Sequence, residues 1–119
     1  MRRREVGALG EMIAVDYLKK QGYLVHETNF RCREGEIDII AEKDNFLIFV
    51  EVRSRRSASF GAPAESLTPT KMERLITLGQ IYIESHQNLP PCSRIDVVTV
   101  ELTPKGQVSR IELIENVTG

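Results

Sequence analysis

The chain of 119 residues has no tryptophan, two cysteines, two histidines and no long apolar run. Each absence removes a class of protein. Cys32 and Cys92 have no CxxC neighbour and no histidine at zinc-ligand spacing, so two reduced thiols are expected in place of a disulfide or a zinc site. His26 and His86 lack the partners of a catalytic triad. No window is apolar for long enough to cross a bilayer, and "MRRREVGALGE" has neither the apolar core nor the small-residue cleavage site of a secretory signal; a cytoplasmic protein is expected. Charge of one sign is also missing. With 16 basic and 17 acidic residues the net charge is −1, which argues against holding nucleic acid by bulk electrostatics alone. There is no internal repeat, low-complexity tract or linker, and the length fits a single domain.

What is present is an ordinary globular composition, 41% hydrophobic and 28% charged, with an uneven charge distribution. Arginines cluster at Arg2 to Arg4, at Arg31 and Arg33, and at Arg53, Arg55 and Arg56. These are either local basic patches or solvated surface. "GALGEMIAVDYLKKQ", 7–21, predicts a helix stopped by Gly22, with lysines at the end the helix dipole favours. Ala8, Glu11, Ala14, Val15 and Leu18 fall on one arc of it, and Leu9, Ile13 and Tyr17 on a second. A well-buried helix carrying Glu11 is therefore expected. Three strand-like runs follow, 23–31, 36–43 and 45–55, separated by the turn compositions "CREG" and "KDN". "SASFGAPAESL", 57–67, reads as a mobile loop. In 68–87 Thr68 caps a second helix with Pro69 at its first position, and Met72, Leu75, Ile76, Gly79, Tyr82 and Ile83 form its apolar stripe. "RIDVVTVEL" and "VSRIELIENV" flank "TPKGQ" as a hairpin. The order α-β-β-β-α-β-β implies an α/β (α+β) domain with helices packed on a mixed five-stranded sheet.

The third strand carries the chemistry. In "FLIFVEVRSR" strand alternation puts Leu47, Phe49, Glu51, Arg53 and Arg55 on one face, with Phe46, Ile48, Val50 and Val52 on the other. If this run pairs antiparallel with "GEIDII" across an even-numbered loop, opposed residue numbers sum to an odd value. Glu36 and Asp38 then share a face with Glu51 and Arg53. Opposed Cβ atoms lie about 4.5–5.5 Å apart in such a pair. Carboxylates that close repel unless one takes a proton or a cation intervenes. Either a divalent ion, which takes oxygen ligands and substrate phosphate, or the arginines could supply that cation. The competing reading is a solvated sheet face bearing weak ion pairs. Asp96, among apolar neighbours in "RIDVVTV", reads as an acid paired with an arginine, and Tyr82 as core.

An acid in the first helix, "GEIDII" with Asp38, "FVEVR" with Glu51, Val52 and Arg53, and a helix bearing Lys71 together resemble the PD-(D/E)XK nuclease superfamily. More narrowly, "GEIDII", "FVEVR", "FGAPAES", "TKMERL" and "RIDVVTV" resemble the YraN-type family of small bacterial proteins over nearly the whole chain. The layout is also similar to that of archaeal Holliday junction resolvases. The resemblance implies a restriction-endonuclease-like core and a metal-dependent endonuclease acting on DNA, branched DNA included, with a homodimer suggested by the resolvases.

By the same resemblance Asp38 is the central metal ligand, Glu51 the acid of the (D/E)XK element, the Val52 carbonyl a further ligand and Glu11 an additional acid. The ion implied is Mg²⁺ or Mn²⁺. Arg53 stands where the superfamily usually has lysine. Arginine is essentially never deprotonated, so Arg53 can hold a phosphate oxygen or a water but cannot act as a general base. Lys71 is then the candidate for the missing amine, and Arg31, Arg33, Arg55 and Arg56 are candidates for gripping the nucleic-acid backbone. Two alternatives stand beside the enzyme: a module on the same fold that binds nucleic acid or a repair protein without cutting, and a structural network of acids and arginines.

Overall fold

The computed structural model describes residues 2–56 and 67–119. The chain runs α1 (Arg3–Lys20), β1 (Leu24–Cys32), β2 (Gly35–Lys43), β3 (Phe46–Arg56), α2 (Pro69–Ser85), β4 (Cys92–Leu102) and β5 (Val108–Ile114). The sheet has five strands in the order β1-β2-β3-β4-β5. All neighbours are antiparallel except β3 and β4, which are parallel. Parallel neighbours cannot be joined by a hairpin, and α2 lies in the crossover between them. This is the mixed sheet and element order that the sequence predicts, the layout of a restriction-endonuclease-like core. The loop expected over 57–67 lies, but for Leu67, outside the described residues.

The β2–β3 turn fixes the site. Lys43 pairs with Phe46, leaving Asp44 and Asn45 as a two-residue loop. Both have left-handed backbones, with φ of 51° and 69°, as a type I′ turn requires and as Asp and Asn tolerate. The loop is even, so the expected parity holds from Lys43 to Ile39, with Ile39 opposite Val50; it does not carry on to Asp38, because Ile37 and Ile39, two apart on β2, enter opposite cores. Alternation is regular along β3. Leu47 and Phe49 enter a core with Leu75, Leu78 and Tyr82 of α2, and Ile37, Ile40 and Ile95 join them. Ile48 and Val50 enter the opposite core with Val6, Ala14 and Leu18 of α1, and Phe46 and Val52 pack against it. One helix therefore covers each face of the sheet.

Two glycines seat those helices. A Cβ on Gly10 would overlap the Ser54 side chain of β3, and one on Gly79 would meet the Phe49 ring at 2.7 Å. Each helix therefore approaches β3 more closely than any larger residue would permit.

Both helices depart in detail from the sequence expectation. α1 begins at Arg3 rather than residue 7: Val6 is buried against the sheet, and Glu5 accepts a hydrogen bond from the Arg2 N–H at 2.9 Å. Full burial on α1 is confined to Val6, Gly10, Ala14 and Leu18, a one-turn repeat along a single line. Of the two expected arcs, Leu9, Ile13 and Val15 are partly buried and pack against the same core, Ala8 is exposed, and Met12, on neither arc, is 69% exposed. On α2 the buried positions are Leu75, Leu78, Gly79 and Tyr82. Ile76, expected in the stripe, is 52% exposed, because the close seat at Gly79 turns Leu78 inward.

Candidate active site

The ladder between β2 and β3 ends at Ile39 and Val50. Beyond that pair the strands part at Asp38 and Glu51, and there a side chain takes over from the main chain. The Val52 N–H donates to Asp38 Oδ2 at 2.8 Å. A strand residue presents its N–H and C=O on the same side, so the Val52 carbonyl faces the same opening between the strands. Asp38 is partly buried there, and its carboxyl is pushed up to about 7. Burial is the main cause, and the charges of Glu51, Glu11 and Glu36 push the same way, while the Val52 N–H opposes them. Acids from α1, β2 and β3 thus bear on Asp38 at one place.

Glu51 is 5% exposed. Its Oε2 lies 3.0 Å from Lys71 Nζ and 3.9 Å from an Arg53 guanidinium nitrogen. Lys71 arrives there because Thr68 caps α2, its Oγ1 accepting from the Lys71 N–H at 3.1 Å, which fixes the first turn. The closer cation on Glu51 is therefore the helix lysine and not its strand neighbour Arg53. Glu11 reaches the opening from α1, and its Oε1 accepts from Asn29 Nδ2 at 2.7 Å. Asn29 escaped the sequence reading. Its φ of 56° within β1 is uncommon for a strand residue, and asparagine inside a strand-like run is the signal that could have found it.

Around the acids lies an open cleft of about 1370 Å³. Asp38, Glu51, Glu36, Glu11 and Val52 line it together with Arg3, Arg4, Arg31, Arg53, Arg55, Arg56 and Lys71. Three of the four arginines singled out for backbone contact are thus at the cleft. Arg33 is not among its lining residues and sits in the exposed β1–β2 turn. Among the cleft arginines, Arg31 pairs with Glu36 and Arg55 with Glu101, each at 2.7 Å. Arg3 and Arg4 were noted in the sequence only as part of a basic run; the fold of α1 brings them to the site.

The remaining chemistry-bearing residues go elsewhere. Asp96, 0% exposed, accepts from Tyr23 Oη at 2.7 Å, Arg94 Nε at 3.0 Å and the Asn116 N–H at 2.9 Å. It is a paired structural acid, as its apolar setting suggested. Tyr82 is buried in the α2 core and donates to Glu27. Cys32 and Cys92 are free thiols. Among the described residues no helix is long and apolar enough to cross a membrane.

Among the described residues no three His, Cys, Asp or Glu side chains converge closely enough to enclose a metal ion by themselves. The donor chemistry nevertheless suits a hard cation. Asp38 and the Val52 carbonyl are oxygen donors at one opening, and Asp38 lies in a field of like charge that a cation would relieve. Mg²⁺ is commonly held by one or two carboxylates, its shell completed by water and phosphate.

Fold and site together define a nuclease-like α+β domain whose acids collect where two central strands part. A family model described as the uncharacterised protein family UPF0102 matches residues 10–100, and the chain belongs to that family, the YraN-type proteins. A UPF0102 protein of Caldicellulosiruptor saccharolyticus is 43% identical over 116 residues, covering 98% of each chain. One from Dehalococcoides mccartyi is 44% identical over 118 residues, covering 98% of this chain and 95% of the relative. Another, from Dictyoglomus turgidum, is 40% identical over 116 residues and covers 98% of each.

Proposed function

We propose that this UPF0102 protein is a Mg²⁺- or Mn²⁺-dependent phosphodiester hydrolase of the cytoplasm that acts on DNA, branched DNA in particular. The observation that carries the reading is the pairing of opposites in one cleft. Mutually repelling acids, one of them nearly enclosed, face an opening whose walls are rich in arginine. A pure phosphate binder gains nothing from buried carboxylates, whereas a centre that holds a divalent ion against a phosphodiester needs both signs. Asp38, Glu51 and the Val52 carbonyl would hold the ion. Such an ion acidifies a bound water and neutralises charge building on the phosphorane. Glu11 would orient an attacking water, Arg53 would hold a phosphate oxygen as a fixed cation, and Lys71 would bring from α2 the amine the superfamily usually carries on the strand. A four-way junction would engage two copies, and light scattering with and without the junction reads that dimer.

The test is calorimetric titration of Mg²⁺ and Mn²⁺ into the wild type and Asp38→Ala, followed by cleavage assays on linear, flapped and four-way DNA. Metal binding that Asp38→Ala abolishes, with metal-dependent nicking of at least one substrate, is the expected result. A wild type that neither binds metal nor cuts any of the three DNAs sinks the proposal. One observation favours a second reading. Lys71 already neutralises Glu51 and Arg53 cannot lose its proton, an arrangement also suited to a module that binds DNA without cutting it. Arg53→Lys separates the two, since a gain of cutting in a binder would show an intact scaffold limited by that arginine.

A further inference from the structure

α1 breaks two local rules on the surface it turns to the cleft. Arg3 and Arg4 occupy its first turn, where the helix dipole is positive and cations destabilise. Glu5 is the only acid there to offset them. Two turns on, Met12 lines the cleft while 69% exposed, a large apolar side chain held in water beside arginines and acids. Between them Gly7 and Ala8 also line the cleft and are exposed. Departures from local stability rules are expected where a sequence serves a ligand. Cations, then small residues, then an unbranched thioether make a strip with charge at one end and an apolar end nearer the acids.

We propose that this strip of α1 docks an unpaired DNA strand, with Arg3 and Arg4 on its phosphates and Met12 against the face of a base. The inference rests on the proposed function and names its substrate class as DNA carrying single-stranded nucleotides next to the site. Charge complementarity selects a polyanion, because the cleft gathers cations in a chain whose net charge is −1. Within polyanions, Met12 distinguishes the strand. A blunt duplex shows phosphates and groove edges to a shallow surface, whereas an unpaired strand offers base faces, which polarizable sulfur contacts favourably. Apolar side chains inserted beside bases are an established means of engaging unstacked nucleic acid. Gly7 and Ala8 leave room for a sugar to lie against the helix.

The test uses fluorescence anisotropy in EDTA, so that nothing is cut, with a labelled single-stranded oligonucleotide and the blunt duplex of the same sequence. Met12→Ala should bind the single strand roughly 3- to 10-fold more weakly and leave duplex binding unchanged. Met12→Phe should restore single-strand binding, which separates stacking from any effect on the helix. Arg4→Ala should weaken both ligands together and flatten their salt dependence. Equal losses on both DNAs from Met12→Ala, or none on either, overturn the docking strip while leaving a DNA-binding protein. A wild type that binds neither oligonucleotide overturns the strip, while the proposed function stands or falls separately on metal binding and on cleavage of the flapped and four-way DNAs.

Discussion

At the scale of single residues the site is an electrostatic conflict that the fold maintains, and Asp38 carries most of it. Its carboxyl, pushed up to about 7 by burial and by neighbouring acids, keeps its proton in the folded protein to a higher pH than in the unfolded chain. Stability from this group is therefore complete below the ordinary carboxylate range and is lost as pH rises through about 7. Asp38→Asn keeps an oxygen to accept from the Val52 N–H and removes the charge. The variant should melt about 4–8 °C above the wild type near pH 8 in EDTA, the equivalent of about 1 kcal/mol, with the gap closing by about pH 4. Mg²⁺ should then raise the wild-type melting temperature and leave the variant's alone. A variant less stable than wild type near pH 8 would mean the surrounding cations already satisfy the carboxylate. Function that is bought at the expense of stability is common at metal and catalytic centres.

Secondary-structure elements place these residues, and here the sequence was legible in part. Gly22 ends α1, and Thr68 with Pro69 starts α2, as their residue types predict, because caps and turns are local chemistry. What local chemistry does not contain is where a helix docks. Gly10 against Ser54 and Gly79 against Phe49 join residues far apart in sequence, so the burial of Leu78 over Ile76 and the exposure of Met12 were hidden. The same holds for Lys71, which reads as an ordinary first-turn lysine until α2 is laid beside β3. Thr68→Ala should destabilise the protein by about 1 kcal/mol and fray the turn that carries Lys71, lowering cleavage more than an equally destabilising change at the far end of α2. Thr68→Ser should retain both stability and activity. For α1, Gly10→Ala should cost about 1–3 kcal/mol by overpacking, and the double variant Gly10→Ala, Ser54→Gly should recover most of it in thermal unfolding, since the overlapping atoms are then gone.

The whole molecule reconciles a neutral composition with a polar cleft by sorting its charges. The β2–β3 and β4–β5 hairpins were readable from the sequence because turn chemistry is local, and an even loop sets parity without knowledge of register; the parallel pairing of β3 with β4, made through the crossover, was not. The cleft itself was not readable, since its walls come from α1, β1, β2, β3 and the first turn of α2, brought together only by tertiary packing. A net charge of −1 argues against binding by bulk electrostatics and says nothing of a local concentration of arginine. That distinction is measurable. Arg31 and Arg55 are held by Glu36 and Glu101, and Arg53 and Lys71 are shared with Glu51, while Arg3 and Arg4 line the cleft in the first turn of α1, placed to meet phosphates. Neutralising three to five phosphates on a single strand should give a slope of about −2 to −3.5 in a plot of log affinity against log salt. Arg3→Ala and Arg4→Ala should each reduce it by roughly 0.7, whereas Arg33→Ala, at a position outside the cleft lining, should leave it unchanged. A slope near zero would place DNA elsewhere or nowhere, and an equal effect of Arg33→Ala would mean that the polyanion follows the β1–β2 turn in place of the cleft.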